Sequence, residues 1–137
     1  MLEISDINAF RGSAHILHGV TMSVREDEVV CLVGRNGAGK TTTIESIMGL
    51  LPVKSGSIRF HNKEITRLPP HQRARRGMGY APEDAGIFPH LTVAENLMIS
   101  EWLAGQAPPG GEAAATHDTE ERTYAVFPEV RCAAARG

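Results

Sequence analysis

An α/β fold built around a phosphate-binding loop is what this sequence predicts, and three observations predict it. Gly34-Arg35-Asn36-Gly37-Ala38-Gly39-Lys40-Thr41-Thr42 fits the pattern G-x-x-x-x-G-K-[ST] at every fixed position and adds a second Thr. Glu28-Val29-Val30-Cys31-Leu32-Val33, just ahead of it, reads as a buried strand, and Lys40 to Met48, just behind it, reads as a helix. In that order, the glycines let backbone N–H groups turn inward around phosphate oxygens, and the helix N-terminus adds a favourable dipole. Lys40 is spaced to reach the β- and γ-phosphates of a nucleotide. Thr41 is spaced to offer its hydroxyl to Mg²⁺, a hard ion that prefers oxygen ligands. The competing reading, a glycine-rich turn with no ligand, needs four fixed residue types and both flanking elements to coincide by chance.

Composition narrows the class. A compact domain of 137 residues buries about two-thirds of its unfolded surface, so one real core is available. With 22% charged residues and a net charge of −2, the chain lacks the basic field that nucleic acid or an anionic membrane would need. Val29 to Val33 and Ile47 to Leu51 are far too short to span a membrane, and Glu3 and Asp6 spoil a signal-peptide start. A cytoplasmic protein with no membrane segment of its own is expected. Cys31 and Cys132 fit no C-x-x-C spacing and read as reduced thiols, Cys31 as a small buried strand residue.

The remaining elements follow in order. Leu2, Ile4 and Ile7 suggest a first strand, and Val20, Met22 and Val24 alternate with Thr21 and Ser23 as a second, with a turn at Phe10 to Ala14 between them. The helix after the glycine-rich loop ends at Gly49, and Pro52 prevents its continuation. Ser55-Gly56 turns the chain, Ile58 and Phe60 mark a short strand, and His61-Asn62 makes the next turn. Pro69-Pro70 opens a short basic helix over His71 to Arg76 that stops at Gly77, and Met78 to Ala81 returns as a strand ended by Pro82. After the loop Glu83 to His90, Thr92 caps a helix from Val93 to Leu103, with Glu95 at the capping-box position. From Gly105 the apolar periodicity stops. Residues 105–118 read as a flexible linker between a domain over 1–104 and a tail over 119–137 holding a short helix, Glu120 to Phe127.

The loop together with Gly49-Leu50-Leu51-Pro52-x-x-Ser55-Gly56 and Leu91-Thr92-Val93-x-Glu95-Asn96-Leu97 resembles an ATP-binding cassette (ABC) subunit over about residues 1 to 104. Ile65-Thr66-Arg67-Leu68-Pro69-Pro70-His71 and Tyr80-Ala81-Pro82-Glu83-Asp84 are most similar in style to the ATP-binding subunits of branched-chain amino-acid importers, with urea and amide importers as alternatives. The resemblance implies a P-loop NTPase core of the ABC type, here its N-terminal part: an antiparallel β-subdomain, the loop strand and helix, and the start of a helical subdomain, with the sheet incomplete. It also implies ATP and Mg²⁺ as ligands, and transmembrane permease subunits and a second ATP-binding subunit as partners. The location implied is peripheral, on the inner face of the plasma membrane. By the same resemblance Phe10 stacks on adenine, the alternative being an ordinary loop aromatic. Glu83 stands where most cassettes carry a Gln that senses the γ-phosphate and Mg²⁺; as a carboxylate it keeps an oxygen ligand, and the alternative is a solvated loop residue. Ile87 and Phe88 would face the permease or, alternatively, tuck into their own domain.

Hydrolysis needs more than a cradle, because water must be positioned and Mg²⁺ held from the other side. From Thr43 to Gly137 no apolar run ends in Asp-Glu, no Leu-Ser-Gly-Gly appears, and His61, His71, His90 and His117 each read as surface residues. No catalytic residue is assigned. Loss of a positioned base alone removes about 10²- to 10⁴-fold in rate, so negligible turnover is expected from this chain. The resemblance also implies that Val29 to Val33 is a central strand whose neighbours on both sides come from the missing half, which would leave its backbone groups unpaired. The expectation is the front part of an importer ATPase cut short near Val130; a stand-alone nucleotide-binding module or a non-functional fragment is the alternative. A GTPase is disfavoured, since Asn62-Lys63-Glu64-Ile65 puts Ile65 where a guanine-reading carboxylate would be needed.

Overall fold

The computed structural model describes residues 1–84, 86–96, 99 and 121–127. They fall into two compact units, Met1–Arg73 and Ala74–Gly137.

The first unit is a four-stranded sheet with a helix that carries the loop. Strands β1 (Leu2–Arg11) and β2 (Ala14–Val24) form a hairpin, helix α1 spans Lys40–Met48, strands β3 (Val53–Phe60) and β4 (Lys63–Glu64) follow, and α2 covers Pro70–Ala74. The sheet order is β2-β1-β3-β4, antiparallel throughout. Both hairpins turn on two residues: Gly12 takes φ +59 in the first, and His61 and Asn62 take φ 46 and 62 in the second, the signs that tight hairpin turns require. The turn expected over Phe10 to Ala14 is therefore shorter than its expected span, because Phe10, Arg11 and Ala14 are drawn into the ladder.

Ile4, Ile7 and Ala9 of β1, Leu17 of β2 and Ile58 of β3 make the core with Met48 and Ile65. Ile4 and Ile7 lie three apart, so strict alternation would send them to opposite faces. A bulge at Asp6, with φ 51, resets the register and buries both. The bulge leaves no room beside it: a Cβ on Gly56 would sit 2.4 Å from the Asp6 carbonyl oxygen, and one on Gly19 would sit 2.7 Å from Asp6 Oδ1.

Two expected strands are absent. Residues 28–33 carry no ladder, Val29 and Val33 are 96% and 85% exposed, and Cys31 is exposed rather than buried. Local composition favours a strand there, but a strand needs a neighbour, and residues 28–33 pair with none of the four described strands β2, β1, β3 and β4. Residues 78–81 are likewise unpaired, and α2 ends at Ala74, short of Arg76.

In the second unit residues 93–96 are helical, as is 99, and Thr92 and Glu95 form the expected capping box. Residues 121–126 are helical. The linker expected over 105–118 lies outside the described residues. No helix among the described residues is long and apolar enough to cross a membrane.

Candidate phosphate-binding site

The loop is a turn set on the sheet. Ala38 N–H donates to Arg35 O at 3.1 Å, and Gly37 and Gly39 take φ 82 and 93, a region L side chains rarely adopt. A Cβ on Gly39 would lie 3.0 Å from Leu17 Cδ2 and 3.5 Å from Ile16 Cγ2, so the end of the loop rests directly on β2. Lys40 Nζ donates to Gly34 O at 2.8 Å and Arg35 O at 2.9 Å, which folds its ammonium back over the loop. Thr43 N–H and Oγ1 both donate to Gly39 O, at 2.8 and 2.9 Å, and bind the first turn of α1 together.

The N-terminus of α1 is left open. Gly39 provides no side-chain cap, and the first turn holds no acidic residue. The unpaired N–H groups of a first helical turn normally go to a side-chain cap, water or a ligand. These residues fit a phosphate: open amides, a dipole of the right sign, one ammonium and the exposed Thr41 hydroxyl, with Glu45 already engaged by Arg11. When bound, a nucleotide supplies the phosphate oxygens through which Mg²⁺ would be shared with Thr41. Among the described residues no group of three or more His, Cys, Asp and Glu side chains could hold a metal by itself.

The rest of α1 is anchored by residues that sequence reading did not single out. The Arg11–Glu45 ion pair ties it to the end of β1. At its C-terminus Gly49 takes φ 76, and Leu50 N–H returns to Glu45 O at 2.9 Å. Arg73, 2% exposed, donates from Nη1 to Ser46 O and Ile47 O, from Nε to Leu68 O and from Nη2 to Thr66 O. Burial pulls its pKa below the ordinary arginine value. The only sequence hint was a cation in a short helix after two prolines, which reads as a solvated face.

The expected site residues are distributed as follows. Residues 34–42 form the loop and first helical turn. Phe10 lies on β1 between buried Ala9 and Arg11, whose side chain points to α1. The Phe10 ring, 38% exposed, stacks on His15 at a centroid distance of 4.3 Å and 7° between planes, and His15 in turn contacts His18. Glu83, Ile87 and Phe88 belong to the second unit. Glu83 is exposed, and Ile87 and Phe88 are 68% and 54% exposed. Asn96 fixes the backbone behind them: its Oδ1 accepts from Phe88 N–H at 2.8 Å, and its Nδ2 donates to the carbonyls of Phe88, Leu91 and Thr92. His61, His71 and His90 are exposed.

A glycine-rich loop that opens an uncapped helix over a sheet defines a nucleotide-phosphate-binding module of the P-loop class. The chain matches the family described as "ABC transporter" over residues 17–135, and it belongs to that family, as part of an ATP-binding domain. It is 35% identical over 131 residues to the probable branched-chain amino acid transport ATP-binding protein LivF of Archaeoglobus fulgidus, covering 96% of this chain and 52% of that protein. It is 37% identical over 99 residues to the high-affinity branched-chain amino acid transport ATP-binding protein BraG of Pseudomonas aeruginosa, covering 72% of this chain and 42% of that protein. It is 44% identical over 90 residues to the lipopolysaccharide export system ATP-binding protein LptB of Escherichia coli, covering 66% of this chain and 37% of that protein. Among solved structures, an ATP-binding subunit of an ABC transporter superposes with a TM-score of 0.69 at 32% identity, over 78% of this chain and 44% of the other. An ATP-binding cassette in its ADP conformation superposes with a TM-score of 0.66 at 31% identity, over 85% of this chain and 44% of the other. The chain thus spans about half, or less, of the length of the proteins it matches.

Proposed function

We propose that this chain is the nucleotide-cradling part of the ATP-binding subunit of an ABC importer for branched-chain amino acids. The observation that carries the reading is the uncapped N-terminus of α1 with Lys40 folded over the loop. In this reading the amides of residues 37–41 and the Lys40 ammonium hold the phosphates of ATP, and Thr41 shares Mg²⁺ with them. Phe10, stacked on His15 and partly exposed, offers its ring to adenine, and Glu83 tunes the Mg²⁺ dependence. With no carboxylate after an apolar strand to position water, the chain binds ATP with negligible turnover.

The cradle is tested by thermal melting. Millimolar Mg-ATP raises the melting temperature, and Lys40→Ala removes most of that rise while leaving the nucleotide-free melt unchanged. Loss of one charge-assisted contact weakens binding about tenfold or more. A wild-type response in Lys40→Ala would sink the site assignment. Phe10→Ala is expected to weaken ATP but not inorganic triphosphate; equal losses would remove the adenine role. A Mg²⁺ titration left unchanged by Glu83→Gln would leave Glu83 a solvated carboxylate.

Partners enter through the second unit. Ile87 and Phe88, presented on backbone that Asn96 holds, suit contact with an apolar surface of a permease at the inner face of the membrane, where a second ATP-binding subunit would complete the assembly. LivF and BraG favour amino-acid import. LptB, at higher identity over a shorter stretch, favours a second reading, service to a lipopolysaccharide exporter. Co-purification with branched-chain permease subunits against lipopolysaccharide-export permease subunits separates them, and capture by the latter alone overturns the first.

A further inference from the structure

At the end of α1 opposite Lys40 lies a cavity of about 480 Å³, within the size range of small-molecule sites. Lys54, Ser55, Gly56, Thr66, Arg67 and Arg73 supply its polar lining, and no carboxylate lines it. The carboxylate nearest to that lining by hydrogen bonding is Glu64, which accepts from Thr66 Oγ1 and is not itself part of the wall. Among the described residues, neither the Lys54 nor the Arg67 side chain takes part in an ion pair or hydrogen bond. Arg73, buried in the wall, uses four of the five N–H donors of a guanidinium on carbonyl oxygens, which leaves one Nη2 N–H over. Three cations around one partly enclosed volume repel one another, and the proline-lined walls concentrate their field in the space between. An anion placed there relieves that repulsion, and the Ser55 hydroxyl adds a donor.

We propose that this cavity binds a small phosphate compound carrying two or more negative charges, with Lys54 and Arg67 as the charged mouth and Arg73 as the fixed floor. The site is separate from the phosphate loop. It uses no residue of the loop, and it sits at the other end of the helix that the loop opens, so a ligand there bears on the carbonyls Arg73 already holds.

Inorganic pyrophosphate is the probe, titrated by calorimetry into the full chain. Because the loop also attracts phosphate, the decisive titration uses Lys40→Ala, in which the loop site is weakened. Binding persists in that variant, weakens with rising salt, and falls about tenfold or more when Lys54→Gln and Arg67→Gln are added, both positions being exposed enough to leave the melt unchanged. Amide resonances of Gly56 and Thr66 shift with the bound fraction. No binding in Lys40→Ala, an affinity unchanged by Lys54→Gln with Arg67→Gln, or citrate binding as tightly as pyrophosphate would each overturn the proposal. Failure of the loop assignment reads differently, as a wild-type Mg-ATP response in Lys40→Ala.

Discussion

Single atoms decide much of this structure. Gly56, at φ +91, passes so close to the Asp6 bulge that any Cβ would meet the backbone oxygens of Asp6 and Ser5 at 2.4 and 2.6 Å. Backbone cannot swing aside as the end of a long side chain can. Gly56→Ala is therefore expected to cost at least about 2 kcal/mol, combining a strained φ with a displaced strand, and urea unfolding measures it. A loss below about 0.5 kcal/mol would mean that the bulge relaxes freely. At this scale the sequence was partly legible. Gly49, the loop glycines and the Thr92 and Glu95 pair are punctuation with fixed spacing, readable without a partner. Arg73 was not, because what makes it structural is the convergence of carbonyls from Ser46, Ile47, Thr66 and Leu68 on one guanidinium, and no local pattern announces that.

Elements follow the same division between local and non-local causes. Helix α1 was legible over its whole span because its start, the glycine turn ending at Gly39, and its stop, Gly49, directly flank it in sequence. Residues 28–33 have the composition of a strand but form none, since a strand is defined by hydrogen bonds to residues far away in sequence. The helical turn at 93–96 offers a test at this scale. Glu95 accepts from Thr92 N–H and from the Thr92 hydroxyl, and those bonds, the backbone one foremost, hold its pKa below the ordinary glutamate value. A carboxylate depressed in the folded state stabilises it above the unfolded pKa, and the contribution is lost as pH falls through the folded value. The Thr92 amide should thus be protected from exchange at neutral pH and lose that protection only at pH below the ordinary glutamate range, with Glu95→Gln abolishing the pH dependence. Protection that fell away near neutral pH would contradict the capping role.

At the scale of the whole molecule, stability is unevenly placed. Every buried hydrophobic residue among those described, Ile4, Ile7, Ala9, Leu17, Met48, Ile58 and Ile65, lies in the first unit. Amides of β1, paired on both sides, should exchange through global unfolding, while those of residues 87–96 should exchange through local opening orders of magnitude sooner. Uniform protection across both units would mean that they open together. The largely exposed run 29–33, which pairs with no described strand, carries a different kind of consequence. Inside a cell such a stretch is a recognition signal for chaperones and proteases, which survey unpaired apolar backbone. The abundance of this chain would then depend on how soon something covers residues 29–33, more than on how tightly the sheet is packed. Val29→Lys with Val33→Glu, which leaves the described core untouched, should lengthen the half-life in a pulse-chase experiment, and an unchanged half-life would place the degradation signal elsewhere.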